Sequence, residues 1–243
     1  MLYSETRLIH MWYTRAHMRN PWIVVGAITI LLFIGAILYS NSVNTQSNEG
    51  VTVTGNVEGN VDAAVTLVEY SDFQCPACSA FQPVLKQVLA TYGDQIRFEY
   101  KHYPLPIHNF AMQAAVAAEA AGQQGKFFEF HDVLFEKQKE WSVSATPNVL
   151  FITYAQDLGL DVETFKRHQK SSLLREKVRS DMNDAKEKGL TGTPTFYLNG
   201  EKMEVKTFED FVTQIALAVD PTVVPVASST VETQSGEPLK FGL

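Results

Sequence analysis

The chain has two cysteines, Cys75 and Cys78, separated by Pro76 and Ala77, and they sit where a strand pattern gives way to a helix pattern. Ala64–Tyr70 is an apolar, β-branched run closed by Ser71-Asp72, which reads as a buried strand. Pro76 suits the first position of a helix, where its missing N–H is no loss. Phe81, Leu85, Val88, Leu89 and Tyr92 give that helix an apolar stripe, and Gly93 ends it. Ile96, Phe98 and Tyr100 then alternate with Arg97, Glu99 and Lys101, the pattern of a half-buried strand.

The period turns helical from His108 to Gly189, with helices expected over about Asn109–Ala121, Lys126–Lys139, Pro147–Leu158 and Val162–Lys188. The last has Asp161 as its N-cap and Phe165, Leu174, Val178, Met182 and Ala185 on its inner face. Strand pattern returns at Thr195–Leu198, Asn199-Gly200 signals a hairpin, and Lys202–Val205 reads as the return strand. A helix over about Phe208–Val219 closes an α/β body.

Trp22 to Tyr39 is an uncharged run of 18 residues, about 27 Å long as a helix and so near the thickness of a bilayer core. Aromatics stand at both its ends, and Arg7, Arg15 and Arg19 all precede it. Residues 1–21 are therefore expected in the cytoplasm, 22–39 as a transmembrane anchor, and the rest outside, where disulfides persist. A cleaved secretory signal is the rival reading, but the run is long for one and no Ala-x-Ala follows it. Residues 40–60, rich in Ser, Asn, Thr and Gly, read as a linker with room for a short strand at Val51–Thr54. Residues 221–243 read as a disordered tail. The intervening 61–220 form the one domain, and the 45% apolar content is enough for a core.

The net charge is −7. Three arginines and one glutamate make residues 1–48 +2, so the remainder carries −9, which argues against nucleic acid as a partner. Two cysteines exclude both a disulfide scaffold and a four-cysteine zinc site. At this spacing they are a redox pair, half of a soft-metal site holding Cu(I) or zinc, or a coincidence. The six histidines, His10, His17, His102, His108, His131 and His168, show no ligand spacing to one another and read as surface or internally satisfied residues. No metal and no cofactor is expected.

Pro76 at the first helical position makes Cys75 the N-cap, with its sulfur facing free N–H groups and the positive end of the helix dipole. Those favour thiolate, the nucleophile of disulfide exchange. Cys78 lies nearly one turn on, close enough to resolve a mixed disulfide on Cys75. Glu69, six residues before Cys75, is either an edge-strand carboxylate or a buried group that moves protons to and from Cys78 through water. Thr191-Gly192-Thr193-Pro194-Thr195-Phe196 puts a proline at a strand start, which demands an edge or a special turn. A cis bond there would be a purposeful feature. Trp141 and Tyr103 read as packing or loop residues.

Val68-Glu69-Tyr70-Ser71-Asp72-Phe73-Gln74-Cys75-Pro76-Ala77-Cys78 resembles the active-site region of DsbA-like proteins of the thioredoxin superfamily, and Thr193-Pro194 resembles that superfamily's cis-proline loop. The resemblance runs through about residues 51–220. It implies a thioredoxin-like fold with an inserted helical domain over about 105–189, following the one transmembrane helix. It also implies Cys75 as the attacking cysteine, Cys78 as the resolving one, a redox-active Cys75–Cys78 disulfide, cis-Pro194 beside the pair, and Glu69 as the family's buried acid. Thr193, Pro76 and Ala77 would line the site. The best-known pattern of the family has His where this chain has Ala77, which leaves oxidase against reductase or isomerase open. The leading expectation is an oxidase that passes its disulfide to exported proteins with thiols and is reoxidised by a membrane partner. A copper-binding module and a redox-inert docking domain are the alternatives. The body is expected to be a monomer.

Overall fold

A computed structural model describes residues 21–222. The expected cytoplasmic segment and the expected tail therefore lie outside the described residues, except for positions 21, 221 and 222. The chain divides into two compact units, at residues 46 and 47, and each is taken by itself.

In the first unit, helix α1 (Pro21–Asn48) is long and apolar enough to cross a membrane. It outruns the expected anchor by nine residues, through much of the stretch read as linker. No proline or glycine interrupts it after Gly35, and the first stop is Gly50, whose φ of 74° is the left-handed conformation that ends helices. The strand in this region is β1 (Asn56–Gly59) rather than Val51–Thr54.

The second unit is built on a five-stranded sheet in the order β1-β3-β2-β4-β5. The strands are β2 (Val65–Ser71), β3 (Ile96–His102), β4 (Thr195–Leu198) and β5 (Glu201–Lys202). β2 and β3 are parallel, joined by α2 (Pro76–Tyr92), as a parallel pair requires a crossover. β1 runs antiparallel to β3, and β4 antiparallel to β2. This is the thioredoxin-like α/β arrangement expected from the sequence. β2 is central, so its residues are shielded on both sides and Glu69 is no edge-strand carboxylate.

Six helices separate β3 from β4: α3 (Ala111–Gly122), α4 (Phe127–Glu136), α5 (Gln138–Trp141), α6 (Pro147–Asp157), α7 (Val162–His168) and α8 (Ser172–Glu187). The single helix expected over Val162–Lys188 is two. Phe165 and Leu174 are nine positions apart, about two and a half turns, so one straight helix would point them in opposite directions. A break at residues 169–171 lets both be fully buried. Each half has its own cap: Asp161 accepts from Thr164 N at 2.7 Å, and Ser171 accepts from Leu174 N at 3.3 Å. The helix expected over Lys126–Lys139 also breaks, at Lys137, and restarts as α5.

The hairpin forms as expected at Asn199-Gly200, where both residues take positive φ, 51° and 85°. Its return strand ends at Lys202, short of Val205, because the chain turns away into the capping box of α9 (Phe208–Val219), in which Thr207 and Asp210 cap each other. On one sheet face Phe81 of α2, Phe196 of β4 and Phe211 of α9 pack with ring centroids 4.6–4.8 Å apart. On the other face Tyr70 and Lys101 converge on Asp184 of α8, at 2.6 and 2.7 Å. The sheet is thus clamped between helices, with the end of β2 pointing into the start of α2.

Candidate active site at the start of α2

Cys75 is the N-cap of α2, in extended conformation, and Pro76 opens the helix. The backbone N–H groups of Ala77 and Cys78 face the Cys75 sulfur without forming a regular cap. Cys75 retains 4% exposure and Cys78 none, so Cys78 is sealed from outside and Cys75 is the residue of the pair at the surface. The Cys75 sulfur lies 3.4 Å from the Thr193 carbonyl oxygen, to which its protonated form donates, and the Thr193–Pro194 bond is cis. Two segments 118 residues apart in sequence thus meet at one sulfur.

The electrostatics separate the two thiols. Cys75 is lowered from about 9 to about 6, first by a hydrogen bond from the Cys78 thiol, against the opposing effect of burial, and further by Thr193 and the backbone N–H groups of Cys78 and Ala77. Cys78 is pushed well up, first by burial and then by its bond to Cys75 and the negative charge near it. One sulfur is held as a thiolate and the other as a thiol.

Glu69 lies beneath them. It pairs in register with Tyr100 of β3 and Phe196 of β4, whose side chains share its face of the sheet. It is fully buried, and neither carboxyl oxygen makes a well-formed hydrogen bond to the protein. Burial raises it from 4.5 to about 7, with the Ser71 hydroxyl opposing and negative charge on Cys75 adding to the rise. Glu69 in turn raises Cys78. A carboxyl that titrates near neutrality next to a buried thiol is suited to proton exchange with it.

Several neighbours carried no sequence signal. Gln138 of α5 donates from Nε2 to the carbonyls of Phe73 and Cys75, at 2.8 and 2.9 Å, which the break at Lys137 permits. Ser71 and Tyr100 bring buried hydroxyls without protein partners to the same face as Glu69. Asp72 and His108 meet at 2.7 Å beside the Cys75 turn. Each contact joins residues distant in sequence, and no local pattern marks them. Trp141 is a core residue whose Nε1 donates to the Leu134 carbonyl, and Tyr103 donates to the Leu190 carbonyl. His102, His131 and His168 are buried, paired respectively with Glu119, Asp132 and the Glu49 carbonyl. Among the described residues no three His, Cys, Asp or Glu side chains come together as a metal-ligand set.

A family model described as thioredoxin matches residues 51–216. Among solved structures, the chain is similar to a thioredoxin-like oxidoreductase from Silicibacter pomeroyi at 26% identity and a TM-score of 0.58, over 73% of this chain and 95% of that one. It is similar to BdbD from Bacillus subtilis at 25% identity and a TM-score of 0.58, over 72% and 93% of the two chains. Wolbachia pipientis α-DsbA1, at 20% identity and a TM-score of 0.60, shares the fold over 72% of this chain and 96% of its own. Curated relatives include a protein named Na(+)/H(+) antiporter NhaA 3 from Salinispora tropica, 36% identical over 148 residues. That match takes in 60% of this chain and 22% of the relative, so the chain spans only about a fifth of the curated proteins it matches.

Proposed function

Because the chain belongs to the thioredoxin family and has the DsbA-like form of its fold, we propose that it is a thiol:disulfide oxidoreductase that acts on exported proteins through Cys75 and Cys78. The observation that carries this reading is the asymmetry of the pair. Cys75 is reachable and lowered to about 6, while Cys78 is sealed and raised.

In the oxidised enzyme a substrate thiolate attacks the Cys75 sulfur of the Cys75–Cys78 disulfide. The S–S bond breaks, a mixed disulfide forms on Cys75, and Cys78 leaves as a thiolate that takes a proton delivered from Glu69. A second substrate thiolate then attacks the mixed disulfide. The substrate leaves with a new disulfide, two electrons stay on the enzyme, and Cys75 departs as a thiolate. Thr193 and cis-Pro194, with Pro76 and Ala77, frame the sulfur where the substrate chain must lie. A stabilised Cys75 thiolate favours the reduced enzyme and makes the disulfide more oxidising, which supports the oxidase direction although Ala77 supplies no charge. Turnover then needs a membrane redox partner to accept the two electrons. The apolar helix α1 supports a single-pass anchor with its N-terminus in the cytoplasm and the catalytic body, a monomer, outside.

A Cys78→Ala variant tests the reading, since a mixed disulfide formed by the reverse exchange, attack of Cys75 on a substrate disulfide, then has no Cys78 to release it. Adducts of exported proteins on Cys75, released by reductant, are expected in membranes from cells that express it. Their absence, in a variant that folds, defeats the proposal.

A further inference from the structure

The loop between β3 and α3, residues 103–110, is laced onto the turn that carries Cys75. Tyr103 N donates to the Ser71 carbonyl at 2.7 Å, and Phe110 N donates to Gln74 Oε1 at 2.7 Å. Between them stands Asp72, whose carboxylate is fully buried. Its Oδ1 accepts from Gln74 N at 2.7 Å, its Oδ2 accepts from Leu105 N at 2.8 Å, and its carbonyl accepts from Cys75 N at 3.0 Å. The same Oδ2 meets His108 Nδ1 at 2.7 Å. One residue therefore fixes both the backbone of the nucleophile and the orientation of an imidazole whose side chain is 16% exposed.

From this geometry we infer that His108, held by the residue that also anchors the Cys75 backbone, is a positioning residue whose imidazolium sustains the Cys75 thiolate. The inference rests on the exchange function proposed above and adds a charge that Ala77 does not provide. His108 is raised above its ordinary value, first by its bond to Asp72, against partial burial, and then by the charges of Asp72 and Cys75. A coupling between two sites is reciprocal. If a negative Cys75 favours the imidazolium, the imidazolium favours the negative Cys75 equally. The groups that act on His108 are Asp72 and Cys75. Those around Cys75 are Cys78 within the helix start and Glu69 beneath it. The support is present while His108 is protonated and fades as the pH rises through its raised value.

The Asp72–His108 bond could serve only to tie the loop down, and the test separates that role from charge. The reduced full chain is titrated in detergent by its rate of iodoacetamide alkylation at Cys75, for wild type, His108→Asn and His108→Lys. The midpoint is expected to rise by about one unit in His108→Asn, as for loss of a nearby opposite charge, and by less in His108→Lys, which keeps the charge. An unchanged midpoint in His108→Asn, or equal shifts in the two variants, overturns the inference. If the variants do not fold, NMR titration of His108 in wild type and in Cys75→Ser carries the test. Its midpoint is expected to fall when the thiolate is removed, and no change overturns the inference. Failure of the reduced wild type to be oxidised to its Cys75–Cys78 disulfide by glutathione disulfide would instead sink the exchange function, a separate outcome.

Discussion

At the scale of single residues, Glu69 carries a cost that the site uses. Its folded value of about 7 lies above the ordinary 4.5, so the folded protein resists its ionisation. For an acid shifted upward there is no penalty below the unfolded value. The penalty grows as the pH rises from 4.5 to about 7 and is complete above that, at about 3 kcal/mol. Glu69→Gln should therefore be the more stable protein at pH 8 by roughly that amount and nearly equal to wild type at pH 4, as denaturant unfolding of the reduced proteins will show. Equal pH slopes in the two proteins would refute the burial of an ionisable Glu69. The same variant should slow formation of the mixed disulfide from the oxidised enzyme by about 10-fold or more, because Cys78 then leaves without its proton donor; stopped-flow measurement of that step at pH 7 checks it. Glu69 itself was readable from its place before Cys75, but its unpartnered oxygens were not. They result from Tyr100 and Phe196 closing over it from two other strands. Asp72 and His108 were invisible for the same reason, being 36 positions apart in sequence.

At the scale of elements, the sequence was most legible where a residue type forces a backbone shape. Pro76 fixed a helix start and made Cys75 its cap, and Asn199-Gly200 supplied two left-handed residues for a hairpin. It was least legible where two apolar stripes run in series. Phe165 and Leu174–Ala185 looked like one face of one helix, and only the need to bury both separates α7 from α8. Ser171, fully buried, caps the second helix, so Ser171→Ala should cost about 1–2 kcal/mol. In a body of this size that is a fall of about 2–8 °C in Tm. A Tm unchanged by the substitution would show that the cap contributes nothing to the break.

At the scale of the whole molecule, the account joins an apolar helix to an acidic redox body. If the body lies outside, a membrane-impermeant maleimide added to intact cells under mild reduction should label Cys75, and Cys75→Ser should remain unlabelled. Labelling only after the cells are broken open would reverse the topology. The two units differ in how they could be read. The apolar helix follows from composition alone, whereas the site assembles segments from residues 69–78, 103–110, 138 and 193–194 that only the fold brings together. The claim at the centre is that Cys75 and Cys78 cycle as one two-electron couple with Cys75 as the nucleophile. Equilibration of the purified chain across a series of glutathione buffers, acid-quenched and weighed by mass spectrometry, tests it most directly. The account predicts a single reduced-to-disulfide transition with a loss of two hydrogens, more oxidising than a pair of ordinary thiols, and any glutathione adduct in the intact protein confined to Cys75. A dithiol that stays reduced in every buffer, or adducts on Cys78 in the intact protein, would contradict it.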